Sequence, residues 1–82
     1  MWFRKAAEQG DIHAQTNLGV MYALGHGVRM DYVQAHMWFS LAAAQGDKTA
    51  RTGRDRIAFQ MTRGQKAEAQ RLASEWLAKH QR

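Results

Sequence analysis

Ten residues occur twice in this chain in nearly the same form. Residues 2–11 read WFRKAAEQGD and residues 38–47 read WFSLAAAQGD, with seven of ten positions identical at an offset of 36 residues. Weaker echoes at Ala14/Ala50 and Thr16/Thr52 keep the same register. A period of this length suits one helix–turn–helix unit per repeat. Such a unit cannot bury its apolar face alone and must stack on a neighbour.

The punctuation between the repeats supports helices rather than strands. Gly10 and Gly46 stand where a helix needs a left-handed C-terminal residue, which glycine adopts without a Cβ clash. Asp11 and Asp47 follow at once and are placed to N-cap the next helix. Gly25-His26-Gly27 breaks the chain again, and Asp31 with Gln34, like Thr62 with Gln65, has the spacing of a capping box. Proline is absent, and alanine, glutamine, arginine, leucine and methionine favour helix. Five helices are expected, over about 2–9, 12–24, 32–45, 48–61 and 63–80.

Each long helix carries an apolar stripe at helical spacing. The second has Ala14, Leu18, Met21 and Tyr22; the third has Tyr32, Ala35, Trp38, Phe39, Ala42 and Ala43. The fourth has Ala50, Gly53, Ile57, Ala58 and Met61; the fifth has Ala69, Leu72, Ala73, Trp76 and Leu77. With short connections, successive helices run antiparallel. The fold class is all-α, a short α-solenoid of about five helices.

These residues resemble the Sel-one-like repeat family, relatives of tetratricopeptide repeats. The resemblance is carried by Ala14, Leu18, Gly19, Tyr22, Gly25, Gly27, Val28, Asp31, Ala35, Trp38, Ala42, Ala43 and Gly46, with Ile12 in place of the first alanine of the pattern. Residues 11–46 match as a complete repeat, and residues 1–10 look like the closing helix of a partial one. Residues 47–82 depart from the pattern: Arg54 and Asp55 replace its Leu-Gly, and no Gly-x-Gly loop follows. This segment looks like a degenerate capping pair. The resemblance implies an adaptor in protein complexes, without catalysis or cofactor.

The residues themselves offer little chemistry to set against that. Without cysteine there is no disulfide or thiolate zinc site. His13, His26, His36 and His80 lie on different elements, with no i, i+3 or i+4 pair to hold a metal. Ser40 and Ser74 sit inside helices without a nucleophile-elbow motif. The Gly25–Val28 loop lacks the Lys-Ser/Thr of a phosphate loop. Trp38, Phe39, Tyr22 and Trp76 fall on the core stripes and read as packing. Glu68 and Glu75 read as partners of Arg71 and Lys79.

What remains is surface. Helical solenoids bind along a concave face lined largely by the first helix of each pair. His13, Asn17, Val20 and Leu24 of the second helix, with Arg56 and Gln60 of the fourth, are the expected partner-binding residues. They would hold a peptide segment or one partner helix. Trp2, Phe3 and Ala6 copy a packing face whose preceding helix is missing, so self-association as a homodimer through the N-terminal helix is expected, or else a chain cut from a longer array.

Charge supplies the competing reading. The net charge is +5, and residues 47–82 hold nine bases and four acids, which gives all of it. Arg51, Arg54, Arg56, Arg63, Lys66 and Arg71, within residues 48–71, would be the contacts of a domain binding nucleic acid or another polyanion. No aromatic stacking platform accompanies them, which favours a solvated helical surface. No apolar run approaches the roughly 20 residues of a membrane span. Glu8 and Asp11 interrupt any signal-peptide core. The expectation is a soluble chain, cytoplasmic by default and periplasmic if it is a fragment.

Overall fold

The repeated Gln-Gly-Asp segments fold in the same way. Gly10 and Gly46 have φ of 95° and 101°, a region open to glycine and costly for other residues. The Asp11 amide donates to the Ala6 carbonyl and the Gly10 amide to Ala7, at 3.0 Å each. Thirty-six residues on, Asp47 donates to Ala42 at 3.1 Å and Gly46 to Ala43 at 2.9 Å. Both pairs are the two crossed bonds of a Schellman motif, which satisfies carbonyls left over at a helix end.

A computed structural model describes residues 2–80, without the side chains of Trp2 and Phe3. It contains helices α1 (Trp2–Glu8), α2 (Ile12–Leu24), α3 (Tyr32–Ala44), α4 (Lys48–Ala58) and α5 (Arg63–His80), with no strand among the described residues. The stack follows from which helices meet. Helix α1 packs on α2, α2 on α3 and α3 on α4; in addition α2 touches α4, and α3 packs along α5. First helices thus pair with first helices and second with second, as in a solenoid of helix pairs.

The central helix is α3, buried on more sides than its sequence stripe implies. His36, Met37 and Leu41 are covered as well as Ala35, Trp38, Phe39 and Ala42. The core accordingly divides in two around it. Trp38 joins Ala7, Ala14, Leu18, Met37, Leu41 and Ala73 on one side. Phe39 joins Ala35, Ala42, Ala50, Ile57, Met61 and Ala69 on the other. Trp38 also meets Trp76 of α5 edge-on, at 6.4 Å between ring centres and 71° between planes, a favoured aromatic geometry.

Two glycines set how closely α2 and α4 approach. A Cβ on Gly19 of α2 would stand 2.5 Å from Cδ1 of Phe39, and one on Gly53 of α4 would stand 2.8 Å from its Cζ. The Phe39 ring therefore lies clamped between two helix backbones. Beside it, Gln15 is a buried polar side chain that the apolar pattern did not reveal. Its Nε2 donates to the Ala7 carbonyl at 3.2 Å, and its Oε1 accepts from Gln45 Nε2 at 2.8 Å. Gln45 Nε2 also lies 3.0 Å from the Gly10 carbonyl, so this network ties the α1–α2 turn to the end of α3. Burial is tolerated because the amides are hydrogen-bonded.

Three local expectations are corrected. Asp11 caps α2 by accepting from the Ala14 amide at 2.9 Å, but Asp47 makes no such bond to α4. Its carboxylate accepts instead from the Thr16 hydroxyl of α2. Asp31 accepts from the Gln34 amide at 3.2 Å, yet its own amide donates to Tyr22 at 2.9 Å, so only half of that capping box forms. Thr62 and Gln65 make both halves, at 2.9 and 3.0 Å. Finally, α4 ends at Ala58 rather than 61. The Gln60 and Met61 amides turn back to Ile57 and Ala58, freeing Thr62 to cap α5.

Candidate protein-interaction surface

The exposed positions of the two first helices flank one groove. On α2 they recur as His13, Asn17, Val20 and Leu24, all solvent-facing. On α4, Thr49, Thr52, Gly53 and Arg56 follow the i, i+3, i+4, i+7 spacing of a single face. Val20 and these four residues line a groove of about 340 Å³ whose floor is the Phe39 ring. Gly53 opens it, since a side chain there would fill the space over Phe39.

Of the six nominated residues, the groove brings Val20 and Arg56 together. His13, Asn17 and Leu24 share the exposed α2 face but do not line it. Gln60 lies in the α4–α5 turn, where its Oε1 accepts from the Tyr32 hydroxyl at 3.1 Å. That bond joins the α4–α5 turn to the start of α3. Around these turns Leu24, Met30 and Phe59 expose their side chains, Phe59 by 91%. Met30 and Phe59 were not nominated, because a turn residue belongs to no periodic stripe.

At the other end of the stack, the side chains of Trp2 and Phe3 lie outside the described residues. Ala6 is half-buried and packs against the Trp38 cluster. Arg4 of α1 donates to the Tyr22 hydroxyl of α2.

The six bases of the competing reading are divided among several surfaces. Arg71 is held by Glu68 at 2.7 Å and Glu75 at 2.5 Å. The Glu68 carboxyl is kept below its usual range, first by its hydrogen bond from Arg71. Arg71 thus takes both carboxylates, and Lys79 pairs with neither among the described residues. Arg54 bridges to Asp55 at 3.3 Å. Arg56 borders the α2–α4 groove, Lys66 lines a hollow with Phe59 and Met61, and Arg51 and Arg63 face solvent.

A second concavity, of about 560 Å³, lies between α3, α4 and α5. His36, Ser40, Arg54, Gln70 and Ser74 line it together with Leu41, Ala73 and Leu77. No sequence motif groups these polar residues. The available signal was the i, i+4 spacing of His36/Ser40 and of Gln70/Ser74, which puts each pair on one helix face. His36 Nδ1 lies 3.3 Å from the Ser40 hydroxyl. Burial lowers the imidazole's pKa, the charge of Arg54 lowers it further, Asp55 opposes, and Lys66 adds a smaller lowering.

Comparison with known families decides what this arrangement belongs to. The profile of the Sel1 repeat matches residues 1–11 and 12–47, more than half of the chain. The chain belongs to the Sel1 repeat family. The second match spans one full 36-residue period, and the boundary between the two falls after the first Gly-Asp pair. No curated protein matches the chain. Sel1 repeats form helical solenoids that generally serve as protein–protein interaction modules and are typically non-catalytic scaffolds. Among the described residues, no helix of this Sel1 chain is long and apolar enough to cross a membrane.

Proposed function

We propose that this Sel1-repeat chain is a non-catalytic adaptor that holds a peptide segment or a single partner helix along α2 and α4. The observation that carries this reading is the groove floored by Phe39 and bordered by Val20 and Arg56, formed where first helices of adjacent pairs meet. An apolar floor with a polar rim suits a partner side chain inserted as an anchor. The length of α2, 13 residues, corresponds to about 20 Å of helix. That matches a short segment rather than a whole domain. His13, Asn17 and Leu24 extend the contact along α2, and Gln60 borders its far end.

In this reading residues 11–46 are the complete repeat, and residues 1–10 close a preceding pair. Residues 47–82 cap the stack. Trp2, Phe3 and Ala6 offer a further surface to a second copy or to an upstream helix.

Quantitative pull-down, with the captured protein identified, tests the groove. Val20→Asp combined with Arg56→Glu is expected to reduce capture of that partner about tenfold or more without moving the thermal midpoint. Lys79→Ala, away from the groove, is expected to leave it unchanged. A partner retained equally by all three proteins places the interface elsewhere.

A further inference from the structure

We propose that the cleft between α3, α4 and α5 is a binding site for a single carboxylate group. It lies on a different face of α4 from the α2–α4 groove and does not depend on the adaptor reading. Three helices contribute to it: His36 and Ser40 from α3, Arg54 from α4, and Gln70 and Ser74 from α5. His36 is only 5% exposed, a buried polar ring opening onto an otherwise accessible cleft. Buried polar side chains carry a desolvation cost that a functional ligand can offset.

The donor set fits a carboxylate. Asp55 engages only Nε of Arg54, leaving the two terminal nitrogens for a ligand. Those nitrogens match the two oxygens of a carboxylate in bidentate geometry. Two hydroxyls and an amide supply neutral donors beside it. Arg54 is the one formally charged residue among those lining the cleft, a single positive charge to meet a monoanion. A phosphate dianion draws two or more adjoining cations, and Lys66 does not line the cleft. The influence of Arg54 and Lys66 on His36 is the same positive field that an anion would meet. Leu41, Ala73 and Leu77 form an apolar wall for the carbon part of the ligand.

The carboxylate has two possible sources, a free small acid or an acidic side chain of a bound protein. Titration with sodium propionate against sodium chloride at equal ionic strength, followed by His36 imidazole and backbone amide resonances, tests the site. Propionate is expected to saturate, to raise the His36 pKa, and to shift amides at Ser40, Gln70 and Ser74. Arg54→Gln is expected to weaken binding about tenfold or more, the scale of a lost charged hydrogen bond. Lys48→Gln, at an exposed position of α4, serves as a charge-matched control and is expected to leave it unchanged.

Gln70→Ala with Ser74→Ala, both on exposed positions of α5, gives a second variant that does not disturb the core. It too is expected to weaken propionate binding. An acetylated Ala-Glu-Ala amide, compared with its Ala-Gln-Ala counterpart, supplies the protein-borne arm. Tighter binding of the Glu peptide than of propionate assigns the site to a partner's side chain, and the reverse order to a free acid. A response no different from chloride, or equal in wild type and both cleft variants, overturns the proposal.

Discussion

The complete repeat and the pair that follows it use the same architecture with very different investments in burial. In the first, α3 buries seven residues, including Trp38, Phe39 and a histidine. In the second, α4 and α5 bury two each, three of them alanine. The difference follows from position in the stack. The helix α3 meets α2, α4 and α5, whereas α5 has only α3 as an extensive neighbour. A helix with one partner needs one narrow apolar stripe and fills the rest of its circumference with charge. The same division places the excess basic charge on the segment of α4 and α5.

The sharpest test of that contrast lies in the two tryptophans that touch each other. Trp38→Ala is expected to cost about 3–5 kcal/mol in urea unfolding, a large share of the stability of a domain this small. Trp76→Ala, at a half-buried site, is expected to cost clearly less. Equal costs would show that α5 is as much a part of the core as α3.

The glycines that clamp Phe39 break the comparison in another way, because one belongs to each region. Alanine is the better helix former by about 1 kcal/mol, yet Gly19→Ala and Gly53→Ala are both expected to destabilise, by about 1–3 kcal/mol. Gly19→Ala is expected to be the worse, since its added carbon stands closer to the ring. Phe39→Leu should relieve either variant. A Gly53→Ala protein more stable than wild type would mean that α4 shifts freely on its neighbour.

The smallest expected effect is a dependence on pH. The folded-state pKa of His36 lies below its ordinary 6.5, mainly because burial penalises the charged ring. The unfolded chain therefore binds more protons in the window below 6.5, and stability is lost as the pH drops through it. It is fully present above that value. Arg54 and Lys66 reinforce the slope and Asp55 opposes it. Replacing His36 with Gln should flatten the profile between the folded and unfolded values, measured as the urea midpoint against pH.

Most of the fold was legible because it is written in spacing. The doubled Trp-Phe and Gln-Gly-Asp segments fixed the period, and cap residues located the start of every long helix. What spacing missed are features that depend on neighbours. Adding 36 to Gly19 leads to Asp55, so the pattern does not show that Gly53 supplies the second side of the Phe39 clamp. Gln15 looks like a surface residue until Gln45 is brought over it. Asp47 has the sequence of a cap, and only the proximity of Thr16 diverts it. Within the candidate surface, Val20 and Arg56 were legible as outward positions on two first helices. The His36 cleft was not, because its members come from three helices whose packing no local pattern specifies.

That diverted carboxylate changes how the chain holds its order. A side chain that caps its own helix strengthens one unit in isolation. Asp47 at the entrance to α4 instead reaches back to Thr16 of α2, placing that contribution at the junction between units. In a nearest-neighbour description of a linear array, such a shift lowers the intrinsic term and raises the coupling term. Coupling makes neighbouring units form and melt together. The α4–α5 pair is thereby tied to the repeat before it, so that this bond couples the two units instead of strengthening either one alone.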